Sequence, residues 1–139
     1  MATFTGRYQL RGSLGGKEHQ INLSESTSLS NVIDQVLTVG TTEVTLFSDG
    51  SAVAGATLTS FALLYIENQD STNYLEIGLK NTGATNTAYF RVPAGKHFAL
   101  YNQSFEADGG AIATAETLIT VTARFNTASG LCRIVVGAA

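Results

Sequence analysis

Two histidines, one cysteine and eleven acidic residues hold most of the reactive chemistry of this chain, and their spacing decides what they can do. Nucleophilic catalysis needs a Ser or Cys beside a His base that an acid holds in place. His19 and His97 each lie in an alternating, strand-like pattern, and no G-x-S-x-G elbow occurs. They read as half-exposed strand histidines. Cys132, in LCRIVV, reads as a small buried hydrophobe. With no second cysteine, an intramolecular disulfide is excluded. A metal centre wants several His, Cys or Asp ligands close together, and the spacing offers no such cluster. The loop Glu67-Asn68-Gln69-Asp70-Ser71-Thr72-Asn73 has oxygens for a calcium ion. Asn and Asp in such loops more often hydrogen-bond their own backbone, which is the expectation here. Glu67, Asp70, Glu76, Glu106, Asp108 and Glu116 are available as acid pairs for glycoside chemistry, but nothing favours any pair. The run Gly12-Ser13-Leu14-Gly15-Gly16-Lys17 lacks the spacing and flanking strand and helix of a phosphate loop, and reads as a hairpin loop. Tyr65, Tyr74, Tyr89 and Tyr101 have the rings for a sugar platform, yet each sits among apolar neighbours as a core or rim residue would. No catalytic, cofactor or metal residue is assigned. The expected product of this chain is a surface, not a reaction.

Composition agrees with that. The chain has 139 residues, suited to one domain over 1–139, and that length supports a core without staples. Hydrophobic residues make up 44 % and charged ones only 14 %, against about 25 % charged in typical soluble domains. Thr, Ser, Asn, Gln and Gly must therefore cover the surface, which has weak protection against self-association. A homotrimer is the expected assembly. The net charge is -3 and no basic block exists, so nucleic acid is not expected as a partner. The start, MATFTGRYQL, lacks a basic region followed by an apolar one, so secretion is not expected. The longest apolar run, FALLYI at 61–66, falls well short of the ~18 residues of a membrane span.

The elements that would carry these residues are strands. Thr, Val, Ile, Phe and Tyr recur in short runs punctuated by Gly and Asn, and no window keeps a helical period over three turns. The predicted strands are Phe4–Leu10, His19–Leu23, Val32–Val39, Glu43–Phe47, Thr59–Glu67, Tyr74–Leu79, Thr87–Val92, His97–Tyr101, Leu118–Phe125 and Leu131–Val136. A helical turn near Ser30–Asp34 stands as an alternative to the start of the third. Arg11–Lys17, Asn68–Asn73, Asn81–Asn86 and Phe105–Glu116 read as loops, and Ser48–Ser51 and Pro93–Gly95 as tight turns. Thr59–Glu67 is apolar on both faces, as a central strand would be. The last two strands are expected to close the chain as a hairpin around Asn126–Gly130. Eight to ten strands at this spacing predict an all-β fold, an antiparallel β-sandwich of jelly-roll-like type.

The densest part is Leu64–Phe105. Its runs Tyr65-Ile66-Glu67-Asn68-Gln69-Asp70, Asn73-Tyr74-Leu75-Glu76-Ile77-Gly78, Phe90-Arg91-Val92-Pro93-Ala94-Gly95-Lys96 and Phe98-Ala99-Leu100 resemble those of small structural proteins of tailed bacteriophages. Ala94 separates Pro93 from Gly95, a departure from the tighter turn of that family. The resemblance covers about forty residues of the 139. It implies a jelly-roll or related sandwich and a part in the virion. The expectation is a non-enzymatic capsid decoration (cement) protein, made in the host cytoplasm, on the outer surface of the major capsid protein lattice. A tail or neck component with a carbohydrate- or receptor-binding sandwich is the alternative. The N-terminal 2–11 is the candidate interface, as an assembly arm or an edge strand. Phe4, Arg7, Tyr8, Leu10 and Arg11 are its candidate contacts, because aromatic residues and Arg are enriched where interfaces hold.

Overall fold

Runs of β-branched and aromatic residues alternating with polar ones become paired strands in the computed structural model, which describes residues 2–29, 31–48, 52–53, 56–57, 61–81, 86–101 and 118–138. In chain order these are β1 (Ala2–Leu14), β2 (Lys17–Leu29), β3 (Asn31–Val39), β4 (Val44–Ser48), β5 (Ala52–Val53), β6 (Ala56–Thr57), β7 (Phe61–Asn68), β8 (Leu75–Asn81), β9 (Ala88–Val92), β10 (His97–Tyr101), β11 (Leu118–Phe125) and β12 (Gly130–Ala138). Every pairing among the described residues is antiparallel. Eight strands form two four-stranded sheets, ordered β10-β7-β12-β3 and β4-β11-β8-β9. The short β5 and β6 pair with each other, and β1 pairs with β2.

Side chains alternate across a strand, so each sheet turns every second residue inward. Leu64 and Ile66 of β7 and Cys132, Ile134 and Val136 of β12 meet Leu75, Ile77 and Leu79 of β8 and Val121, Ala123 and Phe125 of β11 in one buried cluster. Fully burying one large apolar side chain such as Phe47, Phe125 or Leu64 stabilises by about 1.5–3 kcal/mol. The predicted inward face of Leu75, Ile77 and Leu79 is therefore the core face. The double-faced reading of the 59–67 run also holds. β7 lies between β10 and β12, with Leu64 and Ile66 in the core and Leu63 buried in a second cluster.

Four expectations need correction. The last two strands are not a hairpin: β11 and β12 lie in different sheets. Each has an apolar face, and the two faces meet across the core instead of lying side by side. The segment Arg11–Lys17 is not a loop. β1 runs on to Leu14 and only Gly15 and Gly16 turn, at φ 61° and 76°. Two successive positive-φ residues make the tight hairpin turn that matches strand twist, and glycine adopts them without strain. The second strand spans Lys17–Leu29, not His19–Leu23, because its Ser and Thr positions pair as readily as apolar ones. The alternative of a helical turn is not realised, since Asn31–Val39 is strand. The predicted loop at Phe105–Glu116 lies outside the described residues, and the turn at Ser48–Ser51 and the loop at Asn81–Asn86 lie largely outside them.

Candidate interaction surface

The N-terminal residues enter neither sandwich sheet. β1 and β2 form their own ribbon of thirteen paired positions, from Ala2 opposite Leu29 to Leu14 opposite Lys17. Alternation sorts these positions onto two faces. One carries Phe4, Gly6, Tyr8, Leu10, Gly12 and Leu14, with Thr27, Glu25, Leu23, Ile21, His19 and Lys17 opposite. The other carries Thr3, Thr5, Arg7, Gln9, Arg11 and Ser13, with only Ser, Asn, Gln and Glu opposite. The ribbon is thus amphipathic, and its polar face holds side-chain bonds such as Gln9 Nε2 to Asn22 Oδ1 at 3.1 Å. The five candidate contacts divide accordingly. Phe4, Tyr8 and Leu10 occupy positions on the apolar face, and Arg7 and Arg11 are exposed on the polar one. Among the described residues β1 pairs with β2 and with no strand of the two four-stranded sheets.

The ribbon is tied to the body at its root. Leu29 is fully buried with Leu63 and Val135 on the outer face of the β10-β7-β12-β3 sheet, and Val32 and Tyr65 pack around it. Gly137 lies directly beneath, where an added Cβ would collide with the Leu29 side chain. Sequence reasoning missed Leu29. The signal was there: no Gly or Pro interrupts Lys17–Leu29, and alternate positions end on a leucine. Elsewhere on this outer face Val36 and Leu131 are half exposed, at 53 % and 48 %. Arg133 grips Asp34 with two bonds, of 2.9 and 2.7 Å, which lower the carboxyl below its ordinary range and raise the guanidinium. His97 stacks on Tyr65 at 5.5 Å.

The segments around 65–70, 73–78 and 90–96 meet at one end of the sandwich, and Asn68 joins them. Its buried amide donates to Asn73 O at 2.8 Å and Val92 O at 3.0 Å, while its Oδ1 accepts the Asp70 N–H at 3.0 Å. Asp70 Oδ1 accepts from the backbone of Thr72 and Asn73, and the Asp70 carbonyl accepts from Gly95. Those backbone bonds, Asn73 first, hold the Asp70 carboxyl below its ordinary range. The Pro93 turn closes by Lys96 N–H to Pro93 O at 3.0 Å, with Gly95 at φ 65°. The loop's oxygens serve its own backbone, as expected.

The outer face of the β4-β11-β8-β9 sheet is polar. Glu76 accepts from Arg124 Nε at 2.7 Å and lies 3.8 Å from Arg91, whose guanidinium sits 4.8 Å over the Tyr74 ring. Tyr89 lies across Gly78, where a Cβ would leave its ring 3.1 Å away, and donates to Glu43 at 3.1 Å. The tyrosines therefore do not form one platform: Tyr65 is on one sheet's outer face and Tyr89 on the other's. The side chains of Tyr101 and His19 and the acids at 106, 108 and 116 lie outside the described residues. Cys132 is fully buried, and desolvation pushes its thiol up to about 11. Among the described residues no group of three His, Cys, Asp or Glu is placed to hold a metal ion. No helix there is long and apolar enough to cross a membrane. No family model, curated protein or solved structure matches this chain.

Proposed function

We propose that this chain is a non-enzymatic structural protein of a tailed-bacteriophage virion, a capsid decoration protein that binds the outer surface of the major capsid protein lattice and stabilises the head. The observation that carries this reading is the amphipathic ribbon, whose thirteen-residue strands pair with neither sandwich sheet. An isolated two-stranded ribbon is at best marginally stable in water, so an apolar face along it gains by being covered. The strand order supports a jelly-roll winding. Counting only the eight sandwich strands, one sheet runs 6-3-8-1 and the other 2-7-4-5, two interleaved Greek keys of the kind used in viral shells and lectins. The phage-like runs add to this, since they converge on the Asn68 hub.

The mechanism is adhesive. Ribbon contacts bridge neighbouring capsid subunits, and many weak copies acting together replace high single-site affinity. A receptor-binding role on a tail or neck has one observation in its favour, a cleft of about 190 Å³ lined by Thr41, Tyr74, Glu76, Arg124, Phe125 and Asn126. It is the weaker reading, because Arg91 already covers a face of Tyr74 and both arginines engage Glu76. The test is addition of the purified chain to heads that lack it. Saturable binding that raises the temperature of DNA release supports decoration. Binding to isolated tails alone, or to neither, refutes it.

A further inference from the structure

We propose that β3 is a self-recognition edge: two copies of this chain pair their β3 strands antiparallel about a two-fold axis at Gln35, which joins their β10-β7-β12-β3 sheets into one continuous sheet. This edge is separate from the ribbon, and the pairing does not depend on attachment to a capsid.

Open sheet edges invite pairing with another chain, and proteins guard them with short strands, bulges, charges or proline. Among the described residues the two sheets have four edge strands, and three are guarded. β4, β9 and β10 have five residues each. β4 lies against the register shift between Val121 and Thr122 of β11, β9 carries the exposed Arg91 and runs into Pro93, and β10 starts just after the Pro93 turn. β3 has nine residues, holds its register with β12 throughout, and contains no proline, lysine or arginine. Its one charge, Asp34, is already engaged by Arg133, so two copies bring no unpaired charge to the seam. Val36 is 53 % exposed, and Asp34 and Thr38 are exposed beside it. The buried Leu29 carries the root of the ribbon toward Leu63 of β7, two strands in from this edge.

Backbone alternation defines what the edge offers. The Gln69 N–H donates to Leu131 O at 3.0 Å, so Leu131 turns its backbone groups toward β7. Alternate residues of a strand turn theirs opposite ways, so Cys132, Ile134 and Val136 turn theirs toward Leu37, Gln35 and Ile33. Val32, Asp34, Val36 and Thr38 therefore point N–H and C=O away from the sheet, and no described strand pairs with them there. Two-fold pairing centred on Gln35 sets Val32 opposite the second copy's Thr38 and Asp34 opposite its Val36. Each of these residues then finds a partner for both its donor and its acceptor. On the core side Ile33 faces the second copy's Leu37, which is only partly buried in the single chain. The two Gln35 side chains meet on the axis, where each amide can both donate and accept. Centring on Asp34 would oppose two carboxylates, and centring on Val36 would set Gln35 against Leu37. A nine-residue ladder is only about 30 Å long, small for a specific interface, so the association is weak and concentration-dependent.

Val36→Pro is the first test. The Val36 N–H points into the seam and not to β12, and an edge strand tolerates proline where that side is open. Sedimentation equilibrium on the full chain is expected to show a monomer–dimer equilibrium for the wild type, weakened at least tenfold by V36P with an unchanged circular dichroism spectrum. The second test is cross-linking in a Cys132→Ala background, with oxidised glutathione as the oxidant. Opposed residues of a non-hydrogen-bonded pair stand about 4.5 Å apart at Cα, within disulfide reach. Gln35→Cys is therefore expected to give a disulfide-linked dimer on a non-reducing gel. Thr38→Cys is not, although Thr38 is the more exposed, because the two Thr38 positions lie about 20 Å apart in this register. The proposal is overturned if the wild type stays monomeric at high concentration, or if Gln35→Cys cross-links no better than Thr38→Cys. It is also overturned if V36P folds and associates like the wild type. Should V36P fail to fold, the cross-linking pair decides alone.

Discussion

Replacing Asn68 by alanine removes three hydrogen bonds at the point where β7, the loop after it and the end of β9 are held together. The side chain is fully buried, so water does not readily take its place. At about 1 kcal/mol net per bond, plus desolvation of the carbonyls that lose their donor, the loss comes to about 3–4 kcal/mol. For a domain of this size that corresponds to a fall in Tm of roughly 10 °C. Urea denaturation followed by circular dichroism gives the free energy, and a thermal scan gives Tm. Asp70→Asn is the companion variant: its side chain still accepts the Thr72 and Asn73 N–H bonds, so its Tm falls less than that of Asn68→Ala. Calcium at millimolar concentration leaves the wild-type Tm unchanged, because the loop oxygens are committed to backbone. A loss below about 1 kcal/mol for Asn68→Ala, or a calcium-dependent rise in Tm, would refute the reasoning.

Three other outcomes follow from the packing and the charges. Gly130→Ala places a Cβ 2.7 Å from the buried Phe125 ring and is expected to cost about 1–3 kcal/mol by urea denaturation. Cys132, with its thiol raised from 9.0 to about 11, reacts with a maleimide at pH 8 roughly a hundredfold more slowly in the folded chain than in urea, and burial slows it further. Asp34 and Asp70 both have folded values below the ordinary one, Asp34 through its Arg133 bond and Asp70 through the backbone of Asn73 and Thr72. Their contribution is present above the unfolded value of about 3.9 and is lost as pH falls through the folded one. Tm is therefore expected to fall on the acid side, and Asp34→Asn to flatten that fall modestly, since the pair is exposed.

The strands of the sandwich were legible where period-two alternation is strong. Leu75, Ile77 and Leu79 declared a core face, and His97–Tyr101 was bounded by the Pro93 turn on one side. Their assignment to sheets was not legible. β11 and β12 are neighbours in sequence and apolar on one face, a pattern that fits a hairpin as well as two strands facing each other across a core. The ribbon was only half visible. Phe4, Tyr8 and Leu10 marked β1, but Ser24, Ser26 and Ser28 disguised β2, because hydroxyl side chains on a solvent face carry no apolar signal. The glycines of 12–16 look alike in sequence, and only Gly15 and Gly16 turn with positive φ. Asn68 read as one more loop residue; its role depends on Val92, 24 residues away.

The proposed function turns on where the chain resides and in what number, and quantitative protein analysis of purified particles measures both. Separate head and tail fractions from one preparation are compared, with the major capsid protein as internal standard. The account predicts this chain in the head fraction, in many copies and in fixed proportion to the major capsid protein, and lost from heads when residues 2–28 are deleted. A chain found in a few copies with tails, or absent from particles, would contradict it.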